Sequence, residues 1–470
     1  MKKRPRSLRI VSDYDDTCPA GRKTGKVQMR LLLRKLAVLM SAVLIICCCG
    51  RIGTPVYVLA QEGEDAGSAS DSESREDAET GSDIETEKSE DGADAGNKAG
   101  SDTIGPDTPE VYSIDEEGNI IVNHVKYAVI NENDEAYAEV IGLDDPAFSG
   151  EVAIETYVIR DGEQYVVKSI RDTAFAFSKI TGVSIPHYLT RIGKSAFFYC
   201  EQLESISISS GVNYIEPGTF SYCNNLKKLS VNKTSDYFTV KDGVMYTADK
   251  KELVWASAAA DSILSIPKGV VRIWDYAFEG NPTVESISTP KTLTDIGYGA
   301  FMDCAALKSV TIGRKVSEID GNPFMYCHSL ESIKVSSKNK TYYSTSGGLL
   351  LSKNKKQLIS ANAVKGRLEL PTKVRYIEDY ACTGNGNLTS IVIHSKVESI
   401  GDYAFCDCRS TEFVYFASYN TALEENGSVF ANLPYYVQIN LPYSSDTDKV
   451  NAYKKLLLSN SPAGAIVTSR

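Results

Sequence analysis

The amino-acid sequence calls for a solenoid, mainly β with short helical turns, in which stacked parallel strands share one apolar core. Three observations carry this. A phrase Ile-x-x-x-Ala-Phe-x-x-Cys-x-x-Leu-x-x-Ile-x-Ile recurs, with its first Ile at Ile170, Ile192, Ile215, Ile273, Ile296, Ile319, Ile377 and Ile400. Spacings within groups are 22 or 23 residues and the two larger gaps are both 58, so the groups themselves repeat every 104 residues, as from Ile215 to Ile319 and from Ile273 to Ile377. The end of each phrase alternates apolar and polar residues, as in Leu203-Glu204-Ser205-Ile206-Ser207-Ile208, which is the period of a strand with one buried face.

The first sixty residues are expected to hold a targeting segment. Residues 36–49 read LAVLMSAVLIICCC, a 14-residue apolar core preceded by Arg34 and Lys35 and followed by Arg51. A spanning helix needs about 20 residues, and Val58 and Ala60 suit a cleavage site. Residues 1–60 are therefore expected to be a signal peptide removed after Ala60, with Met29 as the true start. An uncleaved anchor with a basic tail is the alternative. Residues 61–110 follow as an acidic linker. The formal net charge of −11 divides unevenly: residues 1–60 hold twelve Lys/Arg and three Asp/Glu, residues 61–107 three and sixteen, which leaves −7 on the rest. The linker has no aromatic residue, and Ile84 and Ile104 are its only large aliphatics, so it is expected to stay disordered for want of apolar surface to bury.

Residues 170–418 form the repeat array. A period of 20–29 residues with Leu/Ile at fixed offsets marks a leucine-rich-repeat solenoid, and one such repeat buries its apolar side only against its neighbours. In Ala196-Phe197-Phe198-Tyr199-Cys200 the Phe197–Cys200 spacing of three puts both side chains on one face of a helical turn. Each 58-residue gap holds one repeat plus an insert, near residues 236–258 and 340–363. Asp242-Gly243 between apolar runs, and Gly347-Gly348 before Leu349-Leu350-Leu351, are turn signals; both inserts are expected to be β-hairpins projecting from the array. Residues 111–169, with strand-like runs and an Asp161-Gly162 turn, are expected to cap the N-terminal end, and residues 419–470, with a helical stretch near Val450–Leu458, the C-terminal end. Open solenoid ends need such capping modules.

The phrases Ile192-Gly193-Lys194-Ser195-Ala196-Phe197-Phe198-Tyr199-Cys200 and Ser184-Ile185-Pro186 resemble the BspA-like class of leucine-rich repeats, over roughly residues 111–460. Thr219 and Pro323 depart from its Ala, Cys382 from its Phe and Thr411 from its Leu. The resemblance implies an extracellular or surface-attached bacterial protein, often an adhesion or host-protein-binding factor.

Catalytic chemistry finds little support. Seven of the eleven cysteines lie beyond residue 60, and Cys200, Cys223, Cys304, Cys327 and Cys408 all follow the Phe position by three; that is the pattern of buried packing thiols. His124, His187, His328 and His394 are scattered over different modules, without metal-ligand spacing. No cofactor motif appears, and the remaining charge shows no basic patch for nucleic acid. The chain is read as non-enzymatic, without cofactor, metal or nucleic-acid partner, and as meeting a membrane only through an uncleaved N-terminal segment. Its expected partner is an extracellular protein or glycan, and its expected location is outside the cell or on the cell surface. A structural surface scaffold without a discrete ligand is the alternative.

The exposed strand positions are the candidate ligand-binding site. Ser205, Lys228, Ser286, Ser309, Ser332 and Ser390 should align in one column, and Ser207, Ser230, Ser288, Thr311, Lys334 and Val392 in the next. Together they are expected to form one concave, hydroxyl-rich stripe. Lys228 and Lys334, 106 residues apart, should serve as cations at similar places in the two super-repeats. Tyr415 and Phe416 should make the C-terminal end an apolar anchor.

Overall fold

The computed structural model describes residues 112–133, 135–423 and 428–469. The expected signal peptide and acidic linker lie outside the described residues. Within them the chain is a β-solenoid in which each coil contributes a strand to one side and a shorter strand to another. The longer strands hold the Ile-x-Ile end of the phrase and pair in parallel, as Ser205–Ile208 with Lys228–Val231. The shorter strands hold the first Ile of the phrase, as Arg191–Ile192 and Tyr214–Ile215, and they also stack in parallel. Sequence reasoning did not anticipate this second row, because two residues are too few to show alternation.

The segment between the two rows is not helix. Ala196, Phe198 and Cys200 N–H groups donate to Gly193, Ser195 and Phe197 carbonyls, while Phe197 and Tyr199 N–H groups donate to Thr219 and Ser221 of the next coil. Alternate amides thus serve the turn and the stack. Ser195 and Tyr199, with φ of 54° and 59°, are left-handed, which interrupts any helix. Phe197 and Cys200 still both point inward, fully buried, although the helical turn expected to place them so is absent.

Two side-chain ladders fill the core. Phe175, Phe197 and Phe220 stack at 5.3 and 5.6 Å between ring centroids, as do Phe278, Phe301 and Phe324 at 5.2 and 5.5 Å. The second ladder is made of thiols. Cys200, Cys223, Cys304 and Cys327 Sγ donate to the carbonyls of Phe175, Phe197, Phe278 and Phe301 in the preceding coil, at 2.9–3.1 Å. Cysteine here is a small apolar filler that also satisfies a buried carbonyl. The coil after each insert has Asn instead: Asn281 Nδ2 donates to Ala256 and Ser257 carbonyls, and Asn385 Nδ2 to those of Ala361 and Val364. The longer amide reaches carbonyls that a thiol does not.

The inserts are β-meanders, but they do not project. Phe238–Lys241, Val244–Thr247 and Glu252–Ala256 pair antiparallel, and the last then pairs in parallel with Arg272–Ile273 of the next coil. Tyr342–Ser344, Leu350–Ser352 and Gln357–Ser360 repeat this before Tyr376–Ile377. Val244, Met245 and Tyr246 are consecutive and all buried, as are Leu253, Val254 and Trp255. A run apolar on both faces is covered on both faces, and that feature outweighs the Asp-Gly turn signal. Each insert also interrupts the row of longer strands, so the expected single sheet is three sheets of four, four and five strands.

At the N-terminal end Tyr112–Ile114 to Glu135–Leu143 form antiparallel strands that lead into the row of shorter strands. At the C-terminal end Asp446 caps the helix Thr447–Ser459 by accepting from Lys449 N–H, the N-cap arrangement of a short acidic side chain. Val450, Tyr453 and Leu457 bury its inner face. Ile466–Ser469 closes the third sheet. Among the described residues no helix is long and apolar enough to cross a membrane.

Candidate functional site

The outward-facing positions of the longer strands fall into three separate patches, one per sheet. In the first, Ser205 pairs with Gly182 and Lys228, and Ser207 with Ser184 and Ser230. In the second, Ser286, Ser309 and Ser332 form one column, and Ser288, Thr311 and Lys334 the next. In the third, Ser390 lies between Arg367 and Phe413, and Val392 between Glu369 and Tyr415. The columns are therefore in the expected register inside each sheet, but the single stripe is corrected to three patches by the inserts between them.

Lys228 and Lys334 also differ from expectation. Lys228 stands in the column of Ser205 and Lys334 in the column of Thr311, on different sheets. Their separation exceeds the super-period by two residues, one step on a strand face, so they are not equivalent positions.

The two columns differ in exposure, apart from the exposed Lys228 in the first and the half-buried Val392 in the second. Ser205, Ser286, Ser309, Ser332 and Ser390 are half-buried, whereas Ser207, Ser230, Ser288, Thr311 and Lys334 are exposed. Ser286 and Ser309 hydroxyls hydrogen-bond to one another at 2.9 Å. On the first sheet the absence of a side chain at Gly182 lets Glu151 lean toward Ser205. The result is an open depression of about 430 Å³ lined by Glu151, Ser184, Ser205, Ser207, Lys228 and Ser230 among others. A carboxylate, an ammonium and several hydroxyls meet there. Glu151 precedes the first repeat that the phrase identifies, and Gly182, inside that repeat, has no side chain to contribute to a hydroxyl column, so neither was among the expected site residues.

The third patch is aromatic. Phe413 and Tyr415 lie side by side on one strand, ring centroids 6.1 Å apart and planes within 18°. Phe416, expected to share this surface with Tyr415, is only 4% exposed, because it alternates inward with Val414. Phe413 is the residue sequence reasoning missed; its signal was the period of two counted back from Tyr415. Gln438 and Asn440 flank the rings on the next strand, and Arg367 pairs with Glu369 at 2.7 Å two strands away.

A larger depression, about 510 Å³, opens over the shorter strands between Tyr376, Glu378, Asp379, Ser399 and Gly401. Burial raises the Glu378 carboxyl above its ordinary value. Asp379 Oδ1 accepts from the Asp402 N–H in the next coil, so part of its acidic lining serves the stack.

The nucleophiles and bases lie apart. All seven described cysteines are free and buried. Burial pushes the Cys304, Cys382 and Cys406 thiols far up, which keeps them protonated and unreactive. His328 is exposed while the adjacent Cys327 points into the core. His124 meets Asp144, His187 meets Ser210, and His394 meets the Pro371 carbonyl. Among the described residues no group of three or more His, Cys, Asp or Glu is placed to hold a metal ion.

The chain resembles several solved structures. A leucine rich cell surface protein from Faecalibacterium prausnitzii is 21% identical, with 75% of this chain and 94% of that one covered and a TM-score of 0.43. A leucine-rich repeat protein from Bacteroides ovatus is 21% identical, with 74% and 90% covered and a TM-score of 0.35. The pneumococcal vaccine antigen PcpA is 16% identical, with 77% and 99% covered and a TM-score of 0.33. No curated protein shows significant similarity to the chain. The model of the BspA type leucine rich repeat region matches in six copies over residues 139–246, 257–346 and 362–461, and with the coil geometry above this makes the chain a member of the BspA-type leucine-rich-repeat family.

Proposed function

We propose that this protein is exported to the bacterial surface and works without catalysis, by docking an extended extracellular protein or glycan on the outer face of its longer strands. The observation that carries the reading is the third patch. Phe413 and Tyr415 occupy outward positions whose counterparts 104 residues earlier are Ser309 and Thr311. Rigid aromatic side chains on a flat strand face are what binding surfaces concentrate. Hydrophobic burial does not account for Tyr415, which is 36% exposed. The patch borders amides on one side and a self-neutralising ion pair beyond, a surface suited to hydrogen-bonding partners of low charge.

A second reading, a scaffold without a discrete ligand, is favoured by one observation on the second sheet. There Ser286 and Ser309 spend their hydroxyls on each other, as a surface with nothing to recognise would. The two readings separate in binding assays against extracellular-matrix proteins and immobilised polysaccharides. The double variant Phe413→Ser, Tyr415→Thr carries the side chains of the second sheet at the third. Loss of binding by tenfold or more with the fold retained is the expected result, about the scale of an interface hot spot. Unchanged binding by the double variant removes the third patch as the site, and no binding by the parent protein favours the scaffold.

A further inference from the structure

At the start of each 104-residue copy, one coil docks onto another that lies beyond the insert. Tyr222 N–H donates to the Glu279 carbonyl at 3.4 Å, and Tyr326 N–H to the Thr383 carbonyl at 3.3 Å. The rings of Tyr222 and Tyr326 pass over Gly280 and Gly384, where a Cβ would come within 2.6 and 2.3 Å of them. The ring hydroxyls turn toward Asp303 and Asp407. Every one of these pairs is separated by 104 residues, so the two junctions share a backbone plan.

Their buried polar chemistry differs. In the second junction the Tyr326 hydroxyl donates to Asp407 at 2.8 Å, and the Arg409 guanidinium donates to the same carboxylate at 2.9 and 3.1 Å. The Thr383 hydroxyl donates to the Tyr403 carbonyl at 2.5 Å. In the first junction Ala305 stands where the second has Arg409, and Glu279 where the second has Thr383. Glu279 is 2% exposed. Ser221 is the hydroxyl facing it, outside hydrogen-bond geometry: neither Glu279 oxygen nor Ser221 Oγ has a protein hydrogen-bond partner. The other groups that face Glu279 are the Asp303 carboxyl, which repels its charge, the Lys194 ammonium, which attracts it, and the Tyr276 and Tyr298 phenols.

We propose that the first junction is a proton-operated latch: it is closed while the Glu279 carboxyl is neutral and loosens, between residues 218–223 and 276–281, when that proton leaves. An ionised carboxylate without a donor, in a site closed to water, is strongly disfavoured. Burial accordingly pushes Glu279 up to about 8 and Asp303 up to about 6. The sign follows. A carboxyl raised in the folded state lends stability that is complete below its unfolded value near 4.5, falls as pH rises toward about 8, and is gone above it; one proton changes the folding equilibrium by up to about tenfold per pH unit. The second junction has no counterpart of Glu279 and stays shut over the same range.

The protein carries its own reporter. Its two tryptophans, Trp255 and Trp274, both belong to the first insert and the coil after it, and the Trp255 ring packs 5.3 Å from Phe220 of the docking coil. Tryptophan emission of the full chain is recorded between pH 6 and pH 9.5. The expected result is a red shift with a midpoint near 8, absent in Glu279→Gln and in Glu279→Thr, which installs the second junction's residue. Deuterium exchange, corrected for intrinsic rate, should quicken about tenfold more at residues 218–223 than at 322–327 from pH 7 to pH 9. An emission shift that persists in both variants, a flat wild-type titration, or equal quickening at both junctions overturns the latch.

Discussion

Residues 215–318 and 319–422 hold the same elements in the same order, so the molecule contains its own comparison. The positions that set coil geometry match. Ile273 and Ile377 end the shorter strands after the inserts, Phe301 and Phe405 fill the core, and Asn281 and Asn385 tie the coil to its insert. The positions that do not set it diverge. Ser309 and Thr311 on the outer face become Phe413 and Tyr415, and Glu279 and Ala305 in the junction become Thr383 and Arg409. The difference teaches that the coil is specified by a small set of inward residues, which leaves its outer face and junction polarity free to take on separate tasks.

The comparison breaks most readily in the core. Phe301→Ala should destabilise by about 3–5 kcal/mol through lost burial and the cavity left behind. Phe405→Ala should cost less by about 0.5–1.5 kcal/mol, the worth of an aromatic contact, because Phe301 stacks on both Phe278 and Phe324 while Phe405 stacks on Phe430 and has Cys382 on its other side. Chemical denaturation of the two variants measures this; a larger loss for Phe405→Ala would contradict the ladder.

A smaller effect should be shared. Asn281→Ala and Asn385→Ala each remove two donations to buried carbonyls; the Ser257 and Ala361 carbonyls keep a backbone N–H partner, the other of each pair loses the amide, and the cost is about 1–3 kcal/mol. Similar midpoint shifts for both are expected in denaturant, since each amide donates to its own insert at 2.8–3.1 Å. A loss confined to one of them would mean that the inserts are held differently.

The smallest effect sharpens the account of the surface. Thr311 is exposed, and Thr311→Ala should change stability by less than about 0.5 kcal/mol. Ser309 sits one step along the same strand, half-buried and bonded to Ser286, so Ser309→Ala should cost about 0.5–1.5 kcal/mol, one hydrogen bond. Equal effects would erase the distinction between the two columns.

What was legible in the sequence is what recurs. Eight repetitions of one phrase define the coil, and Leu203 to Ile208 announces its strand. The inward direction of Phe197 and Cys200 was foreseen, but through a helical turn that the left-handed Ser195 and Tyr199 replace. Three features escaped for physical reasons. The shorter strands span two residues, below the length at which a period of two is visible. The left-handed positions at Ser195 and Tyr199 carry no Gly, so nothing in composition marks them as turns. The inserts carried a correct hairpin signal in Asp242-Gly243, with φ of 50° and 73°, but a turn signal says nothing of where the hairpin lies; the unbroken apolar runs beside it did. Within the site, register inside each sheet was readable, and the breaks between sheets were not, because they depend on where the inserts dock.

Those breaks bear on how the molecule comes apart. Strand pairing is interrupted on both rows at each insert, after Tyr214–Ile215 and Lys228–Val231 and again after Glu318–Ile319 and Ser332–Val335. Three hydrogen-bonded blocks are thus joined by side-chain packing and turn contacts rather than by a shared ladder. In a quasi-one-dimensional array cooperativity passes only from neighbour to neighbour, so each seam is a place where melting can stop. The chain should behave as three coupled foldons rather than one, with the block boundaries, and not the ends alone, deciding how far a local defect spreads.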